Sequence, residues 1–384
     1  MRITGEWLAS DDTQRMLGML NEAGYLAYVV GGCVRNALLG VPVADVDIAT
    51  DALPDIVIKL ANTVGYKAIP TGIEHGTVTV VCRDTPFEIT TFRNDIATDG
   101  RRAVVAFSQD IAQDARRRDF TINAFYATAD GVLTDPLGNL ADISGPKIRF
   151  IEDPGERIRE DYLRILRFFR FYACYGDANT GPDPEGLAAC AQHAQGLEGL
   201  SKERIGSEMR KLLAAPNPAP SLSAMSASGV LARVLPGADA QYIAPLIHLE
   251  ISGNFAPNWQ RRLAMLGAEN LADALRLSKA ETKYLQKIAK AQNTEAPIAQ
   301  SAYLFGPAAT TDAMLIRSAI LSAPIPPDFA HQLSRASKAV FPITAADLLK
   351  QFGEGPKLGR ELARLKGLWL KSDFTLNKQA LLRR

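Results

Sequence analysis

Two aspartates one residue apart, Asp45 and Asp47, follow the glycine pair Gly31 and Gly32 and the arginine Arg35. These residue types at this spacing suit phosphoryl chemistry. Glycines let backbone N–H groups approach a phosphate closely, and a helix N-terminus favours negative charge. Arg35, in the first turn of a helix predicted after the Gly-Gly turn, can fork onto phosphate oxygens. Residues i and i+2 of a strand share a face, so both carboxylates are expected to point the same way. A hard cation such as Mg²⁺ relieves their repulsion. An acid-x-acid triplet alone is commonplace, and a Gly-Gly pair alone is usually a turn. A phosphate-cradling turn about a dozen residues ahead of a carboxylate pair points to nucleotidyl transfer.

Three further groups carry chemistry. Glu88 stands in a strand-like run and can supply a third carboxylate beside Asp45 and Asp47. Arg116-Arg117-Arg118-Asp119 precedes an apolar run read as helical. Its arginines suit triphosphate charge, with Asp119 as orienting partner or helix cap. Glu160-Asp161-x-x-Arg164-x-x-Arg167 reads as part of one amphipathic helix whose stripe is Ile158, Tyr162, Ile165, Leu166, Phe169 and Tyr172. Asp161, Arg164 and Arg167 fall near the opposite face. Surface ion pairs there would contribute only about 0.3–0.5 kcal/mol. As one wall of a nucleotide pocket, the same face has a sharper use. Cytosine and adenine each set an amino donor beside a ring-nitrogen acceptor. One Asp and one Arg therefore accept both and disfavour uracil and guanine. His75 has no ligand-spaced partner and reads as part of a turn, and no adjacent His-Asp pair marks a metal phosphohydrolase.

The positioning elements can be read from pattern. Ala27–Val30, Val78–Val81 and Phe87–Phe92 are rich in β-branched and aromatic residues, as strands are. Pro54 to Val64 reads as a helix with Pro in its first turn. Asp99-Gly100 signals a turn within Asp95–Phe107. After about residue 150 the strand signal fades. The texture divides the chain into 1–150, 151–215 and 216–384, with Ala215–Pro220 a proline-punctuated linker and Pro324, Pro326 and Pro327 a later break. The expected order is a small α/β or α+β head followed by a helical remainder.

Composition narrows the class. The 384 residues carry 43 Lys+Arg against 42 Asp+Glu, and 47% are apolar, so the chain has ample core and is not a disordered polyanion or polycation. No apolar run is long enough to span a bilayer, and Met1–Glu6 has no apolar secretory segment. Cys33, Cys82, Cys174 and Cys190 are widely spaced, form no zinc pattern, and read as buried thiols of a cytoplasmic protein. Charge is local. Lys357 to Arg384 holds Lys357, Arg360, Arg364, Lys366, Lys371, Lys378, Arg383 and Arg384 against Glu361 and Asp373. Lys357 and Arg360, beside the Gly353–Gly359 hinge, are the RNA-binding candidates.

Taken together, these motifs resemble the class II tRNA nucleotidyltransferase and bacterial poly(A) polymerase family, a branch of the polymerase-β-like nucleotidyltransferases. The resembling text runs from Gly31-Gly32-Cys33-Val34-Arg35 and Asp45-Val46-Asp47 through His75-Gly76-Thr77 and Glu88–Arg93. It continues in Arg117-Arg118-Asp119-Phe120-Thr121-Ile122-Asn123-Ala124 and Glu160–Arg167. It is dense from about residue 27 to 213 and looser after that, returning near Ile343–Leu349. The resemblance implies an α+β fold: a catalytic polymerase-β-like head with a mixed sheet, then an all-α neck with a base-recognition helix and an all-α body and tail that bind tRNA. It implies addition of C, C and A to the tRNA 3′ end from CTP and ATP, with Mg²⁺ as cofactor and no membrane or DNA partner. Asp45 and Asp47 would hold metal. Gly31, Gly32, Arg35, Arg118, Asp119, Asp161, Arg164 and Arg167 would bind nucleotide. The loop over Asp95–Phe107 is the one retained by enzymes that add the terminal adenosine. The rivals are a poly(A) polymerase of the same family and an RNA-binding protein that keeps the fold. Thr71–Thr77 looks like the tRNA enzymes, and intact Asp45, Asp47 and Arg35 disfavour a pure binding module.

Overall fold

A computed structural model describes residues 1–99, 102–145 and 147–383, with backbone alone at 95–99 and 102–104. The chain forms two compact units, Met1–Pro236 and Gly237–Arg384.

Among the described residues the first unit is built on nine strands. They are β1 (Ala27–Val30), β2 (Asp47–Thr50), β3 (Lys67–Gly72), β4 (Thr77–Cys82), β5 (Thr85–Thr91), β6 (Arg93–Asp99), β7 (Arg102–Phe107), β8 (Tyr126–Ala127) and β9 (Leu133–Thr134). Seven make one sheet in the order β3-β4-β5-β2-β1-β8-β9. It is mixed, because β2 and β5 run parallel while every other pairing is antiparallel. β6 and β7 pair as a separate ribbon with Asp99 opposite Arg102. The turn expected at Gly100, and Arg101 beside it, lie outside the described residues. β4 alternates buried and half-exposed positions, as one covered face requires. Val30, Ala49, Phe92, Ala124, Tyr126 and Ile151 close the core beneath the site.

Behind the sheet the unit turns helical: Pro154–Glu160, Leu163–Tyr175, Pro184–Gln192, Lys202–Leu213, Ala219–Ala227 and Val230–Val234. Phe120, Phe150, Phe168 and Phe171 bind this part to the sheet. Ring centres lie 4.8 Å apart for Phe120–Phe150, 5.5 Å for Phe150–Phe168 and 5.2 Å for Phe120–Phe171. Such pairs add stability beyond the area they bury. The proline-rich stretch Ala215–Pro220 joins two helices of this same unit.

Three local expectations are corrected. The apolar run after Arg118-Asp119 is not a helix but a single 3₁₀ turn, Thr121–Asn123, leading into β8. Phe120, Phe125 and Tyr126 are fully buried there, a demand on both sides of the chain that a short amphipathic helix does not meet. Asp45 lies in coil, since β2 begins at Asp47. The helix expected through Asp161 is two helices that meet there. Asp161 is extended (φ −155°, ψ 107°), and its carboxylate accepts from Leu163 N at 3.1 Å. An Asp that bonds nearby backbone N–H groups starts a helix more readily than it continues one. The apolar spacing hid the break because Ile158 and Ile165, on either side of it, are both buried.

The described residues of the second unit contain helices and no strand. One core gathers Tyr303, Phe341, Trp369 and Phe374. Another is ionic. Glu250 accepts from Arg261 Nε at 2.8 Å and Arg262 Nη2 at 2.6 Å, while Asp312 accepts from Tyr284 Oη at 2.7 Å and Asn258 Nδ2 at 2.9 Å. Gly353 and Gly355, at φ 67° and 123°, turn the chain between helices Ala345–Phe352 and Pro356–Lys371.

Candidate active site

β1 ends at Val30, and Gly31 (φ 72°) turns the chain into the helix Gly32–Leu39. Only a residue without Cβ enters that backbone region freely. A Cβ at Gly31 would also stand 3.3 Å from Arg118 Nη1, so the turn and that guanidinium share one space. The start of this helix lines a cleft of about 410 Å³, where first-turn N–H groups without an intrahelical partner favour an anion. Its lining includes Gly31, Gly32, Arg35, Asp47, Arg118, Asp119, Asp161, Arg164 and Arg167, nine of the residues singled out by sequence. Arg117, Asn123, Leu163, Phe171 and Arg204 complete it. Six arginines face three aspartates, a balance suited to a polyanion.

Each guanidinium is held by a carboxylate or an aromatic ring. Asp114, fully buried, accepts from Arg117 Nε at 2.8 Å, Arg118 Nη2 at 3.0 Å and Tyr126 Oη at 2.6 Å. Burial alone would raise its carboxyl. Arg118, Arg117 and the Tyr126 hydroxyl outweigh that and hold its pKa at about 2. Asp119 accepts from Arg167 Nε at 2.7 Å and Asn123 Nδ2 at 2.9 Å. Burial opposes its charge too, yet Arg167 and Asn123 bring its pKa to about 2. Asn123 joins the two halves of the cleft, because its Oδ1 accepts from Arg35 Nη1 at 2.6 Å. Phe171 lies between three cations, with Arg170 at 4.2 Å and Arg35 and Arg167 each at 5.3 Å from its centre.

Arg35 is where expectation and geometry part. Nε and Nη2 donate to Asn36 Oδ1, Nη1 to Asn123 and Nη2 to Tyr175 Oη. Four of its five N–H groups are thereby used, and the side chain is 7% exposed. The fork onto phosphate is corrected to a single remaining Nη1–H. Arg118 keeps more freedom, with Nη1 uncommitted beside Gly31.

The third wall carries Asp161 and Arg164. Arg164 Nη1 donates to Glu160 and, at 2.9 Å, to Arg157 O. Asp161 Oδ2 accepts from Arg204 Nη2 at 2.6 Å. Arg204 comes from the helix Lys202–Leu213, and its buried Nε has no hydrogen-bond partner among the described residues. Sequence reasoning missed Arg204, Asn123, Phe171 and Tyr175. Asn123 sat inside the quoted motif and was the one of the four with a visible signal.

Parallel pairing puts Asp47 beside Glu88. Asp47 keeps solvent contact, yet the protein packed around its carboxylate, then Glu88 and Asp45, lift its pKa to about 6, against the pull of Arg118. Neither Asp45 nor Glu88 lines the cleft. Among the described residues no three Asp, Glu, His or Cys groups converge on one point. Mg²⁺ asks for less, since one or two carboxylates with substrate phosphates and water suffice. Packing around the Asp47 carboxylate, with Glu88 and Asp45 nearby, disfavours an unneutralised charge there, and a cation would offset it, so Asp45 and Asp47 suit that group. Lys357 and Arg360 are exposed on the second unit, at the start of the helix Pro356–Lys371.

Comparison with known proteins agrees with this geometry. Residues 27–149 match the poly A polymerase head domain, and residues 182–242 match the probable RNA and SrmB binding site of polymerase A. The mitochondrial CCA tRNA nucleotidyltransferase 1 of Mus musculus is 32% identical over 369 residues, 92% of this chain and 85% of that protein. The chain belongs to the CCA tRNA nucleotidyltransferase family. The CCA-adding enzyme of Levilactobacillus brevis is 42% identical over 217 residues, covering 56% of this chain and 53% of its own length. Among solved structures, the Bacillus stearothermophilus CCA-adding enzyme in complex with CTP superposes with a TM-score of 0.77 at 28% identity, covering 94% of this chain and 93% of that one. The family's head model spans both the Gly31–Asp47 segment and the Arg117–Asn123 segment. The second model includes the helix that carries Arg204.

Proposed function

We propose that this protein adds C, C and A to the 3′ end of tRNA, consuming CTP and ATP and releasing pyrophosphate. The observation that carries this reading is the match along 92% of the chain to a CCA tRNA nucleotidyltransferase. The cleft supports it, since cations for a triphosphate and a carboxylate–guanidinium pair for a base face one space.

In the reaction the tRNA 3′-oxygen forms a bond to the α-phosphorus of the nucleotide. The bond from that phosphorus to the bridging oxygen breaks, and pyrophosphate leaves. The turn at Gly31-Gly32, with Arg118 above it, receives the triphosphate. Arg35 supplies one N–H and otherwise fixes Asn123. Asp119 acts through Arg167, which it holds by two hydrogen bonds. Asp161 and Arg164 read the base: Arg204 turns the Asp161 carboxylate, and Glu160 sets the Arg164 guanidinium. The amino group of either cytosine or adenine donates to Asp161, and the ring nitrogen accepts from Arg164. Asp45 and Asp47, with Glu88 beside them, are the residues that would hold Mg²⁺. Bound there, the ion supplies Lewis-acid activation of the terminal hydroxyl and neutralises charge on the departing pyrophosphate.

We assign the head to residues 1–150, the neck to 151–215 and the tRNA-binding body and tail, with Lys357 and Arg360, to 216–384. The four cysteines are unpaired, which supports a reducing compartment and a cytoplasmic enzyme. Among the described residues no helix is long and apolar enough to cross a membrane.

The test is a tRNA transcript lacking its CCA end, incubated with Mg²⁺ and resolved at single-nucleotide length. CTP with ATP should extend it by three nucleotides, and CTP alone by two. A long ladder with ATP alone would make the protein a poly(A) polymerase. Binding without extension would leave an RNA-binding protein that keeps the fold.

A further inference from the structure

A buried ion pair lies just outside the cleft. Glu208, in the helix Lys202–Leu213, is 5% exposed, and its carboxylate accepts from Arg170 Nε at 2.5 Å. Arg170 belongs to the helix Leu163–Tyr175, and its side chain is also largely shielded from solvent. Neither residue lines the cleft. Such a pair contributes little net stability, because desolvating both charges offsets much of their attraction. What it fixes well is geometry, since a planar guanidinium and a carboxylate meet in few orientations.

That geometry is handed on to the cleft. The Arg170 guanidinium lies 4.2 Å from the centre of the Phe171 ring, and Phe171 does line the cleft. Arg35 and Arg167 sit 5.3 Å from the same ring centre, and both are cleft residues. Three cations around one ring repel one another, and a carboxylate close by offsets that repulsion. Glu208 meets the need. Burial opposes the charge of Arg167, while Asp119 and then Glu208 uphold it. Glu208 also stands one helical turn after Arg204, on the same face, and Arg204 bonds Asp161. One helix thus reaches the base-reading wall through Arg204 and the group of cations through Glu208.

We propose that Glu208 is a positioning residue for nucleotide addition. Through Arg170 it fixes the Phe171 ring, and with the ring the two cations, Arg35 and Arg167, that are presented to the triphosphate. This rests on the reading that the cleft takes CTP and ATP. Because the effect arrives at the triphosphate end, it is blind to the base.

The experiment compares the full-length enzyme with Glu208→Gln, Arg170→Gln and the double variant. KM and kcat are measured for CTP and ATP, and inorganic tripolyphosphate serves as an inhibitor that carries no base. Thermal melts report stability. Glu208→Gln should raise KM for CTP and ATP alike by about tenfold and weaken tripolyphosphate inhibition by the same factor, with relative use of UTP unchanged. The double variant should be no worse than Arg170→Gln, since Glu208 acts through Arg170. Charge alone predicts the opposite sign, because removing an anion beside the cleft favours a polyanion. A merely structural role would lower Tm and leave KM parental. The proposal is overturned by a parental or lowered KM, by a KM rise with parental tripolyphosphate inhibition, by a rise in relative UTP use, or by additive effects in the double variant. Should Glu208→Gln fail to fold, Arg170→Lys decides the question, because it keeps the charge beside Glu208 and loses the planar contact with Phe171. The same losses in that variant support the proposal, and parental KM and inhibition overturn it. In any of these cases, three-nucleotide extension by the parent enzyme leaves the functional reading standing. A parent that extends the transcript with neither nucleotide removes that reading and this proposal together.

Discussion

The guanidinium of Arg35 lies 4.1 Å from the centre of the Tyr175 ring and donates to the Tyr175 hydroxyl at 2.8 Å. One residue follows the Gly-Gly turn and the other ends the helix Leu163–Tyr175, so 140 residues of chain separate them. This contact, with the Asn123 bond, sets where Arg35 presents its last free N–H. Tyr175→Phe removes the hydroxyl and keeps the ring; Tyr175→Leu removes both. The first should raise KM for CTP and ATP alike by about threefold and the second by about tenfold, the latter equal to about 1.4 kcal/mol. Steady-state kinetics with each nucleotide will check this. A change in kcat with KM constant would assign Tyr175 a different role.

Arg204 should matter for base choice rather than for triphosphate binding. Arg204→Gln leaves the Asp161 carboxylate without its charged partner. We expect kcat/KM for CTP and ATP to fall by about 10–100-fold and the relative use of UTP to rise, with tRNA affinity unchanged. Single-nucleotide incorporation of all four nucleotides measures it.

These two expectations show what sequence can and cannot disclose. Gly31, Gly32, Arg118, Asp119, Asp161, Arg164 and Arg167 were legible because each sits in a short run whose residue types suggest one chemistry. Arg204, Phe171 and Tyr175 were not. Each is an ordinary residue of an amphipathic helix, and its role arises only when that helix packs against another part of the chain. The Arg204–Asp161 bond spans 43 residues. The strands β1, β4 and β5 were legible from β-branched runs, whereas the break at Asp161 was masked by unbroken apolar spacing. The mixed sheet was expected from resemblance, but the parallel register that sets Asp47 beside Glu88 has no local signature.

Acid should act through Asp114. A carboxyl held at about 2, below its ordinary 3.8, stabilises the folded state fully above the ordinary value and loses that contribution as pH falls towards 2. The difference is worth about 2 kcal/mol. Denaturant melts from pH 5 to pH 2 should show the parent losing about that much more stability than Asp114→Asn. The variant should already be less stable at pH 7, since Arg117 and Arg118 lose their shared carboxylate. Parallel curves would remove Asp114 from the acid response.

Asp47→Asn is expected to lower the rate of nucleotide addition by at least about a thousandfold. CTP binding in the absence of divalent metal should not weaken, because the substitution removes a negative charge from the cleft. Equilibrium binding beside single-turnover extension separates the two effects. A variant with parental turnover would exclude Asp47 from the chemistry.

The second unit should depend on Glu250. Glu250→Gln leaves Arg261 and Arg262 buried beside a neutral amide, and the expected loss is about 3–5 kcal/mol. Urea unfolding in a Trp7→Phe background, followed by the fluorescence of Trp259 and Trp369, reports on this unit, because those two residues lie within it. A shift under about 1 kcal/mol would mean that the pair tolerates a neutral partner.

Every residue that lines the cleft lies before Pro236. On the proposed reading, nucleotide choice is thus written wholly within the first unit of the chain. Substitutions after Pro236 are therefore expected to leave the alphabet of what is added unchanged.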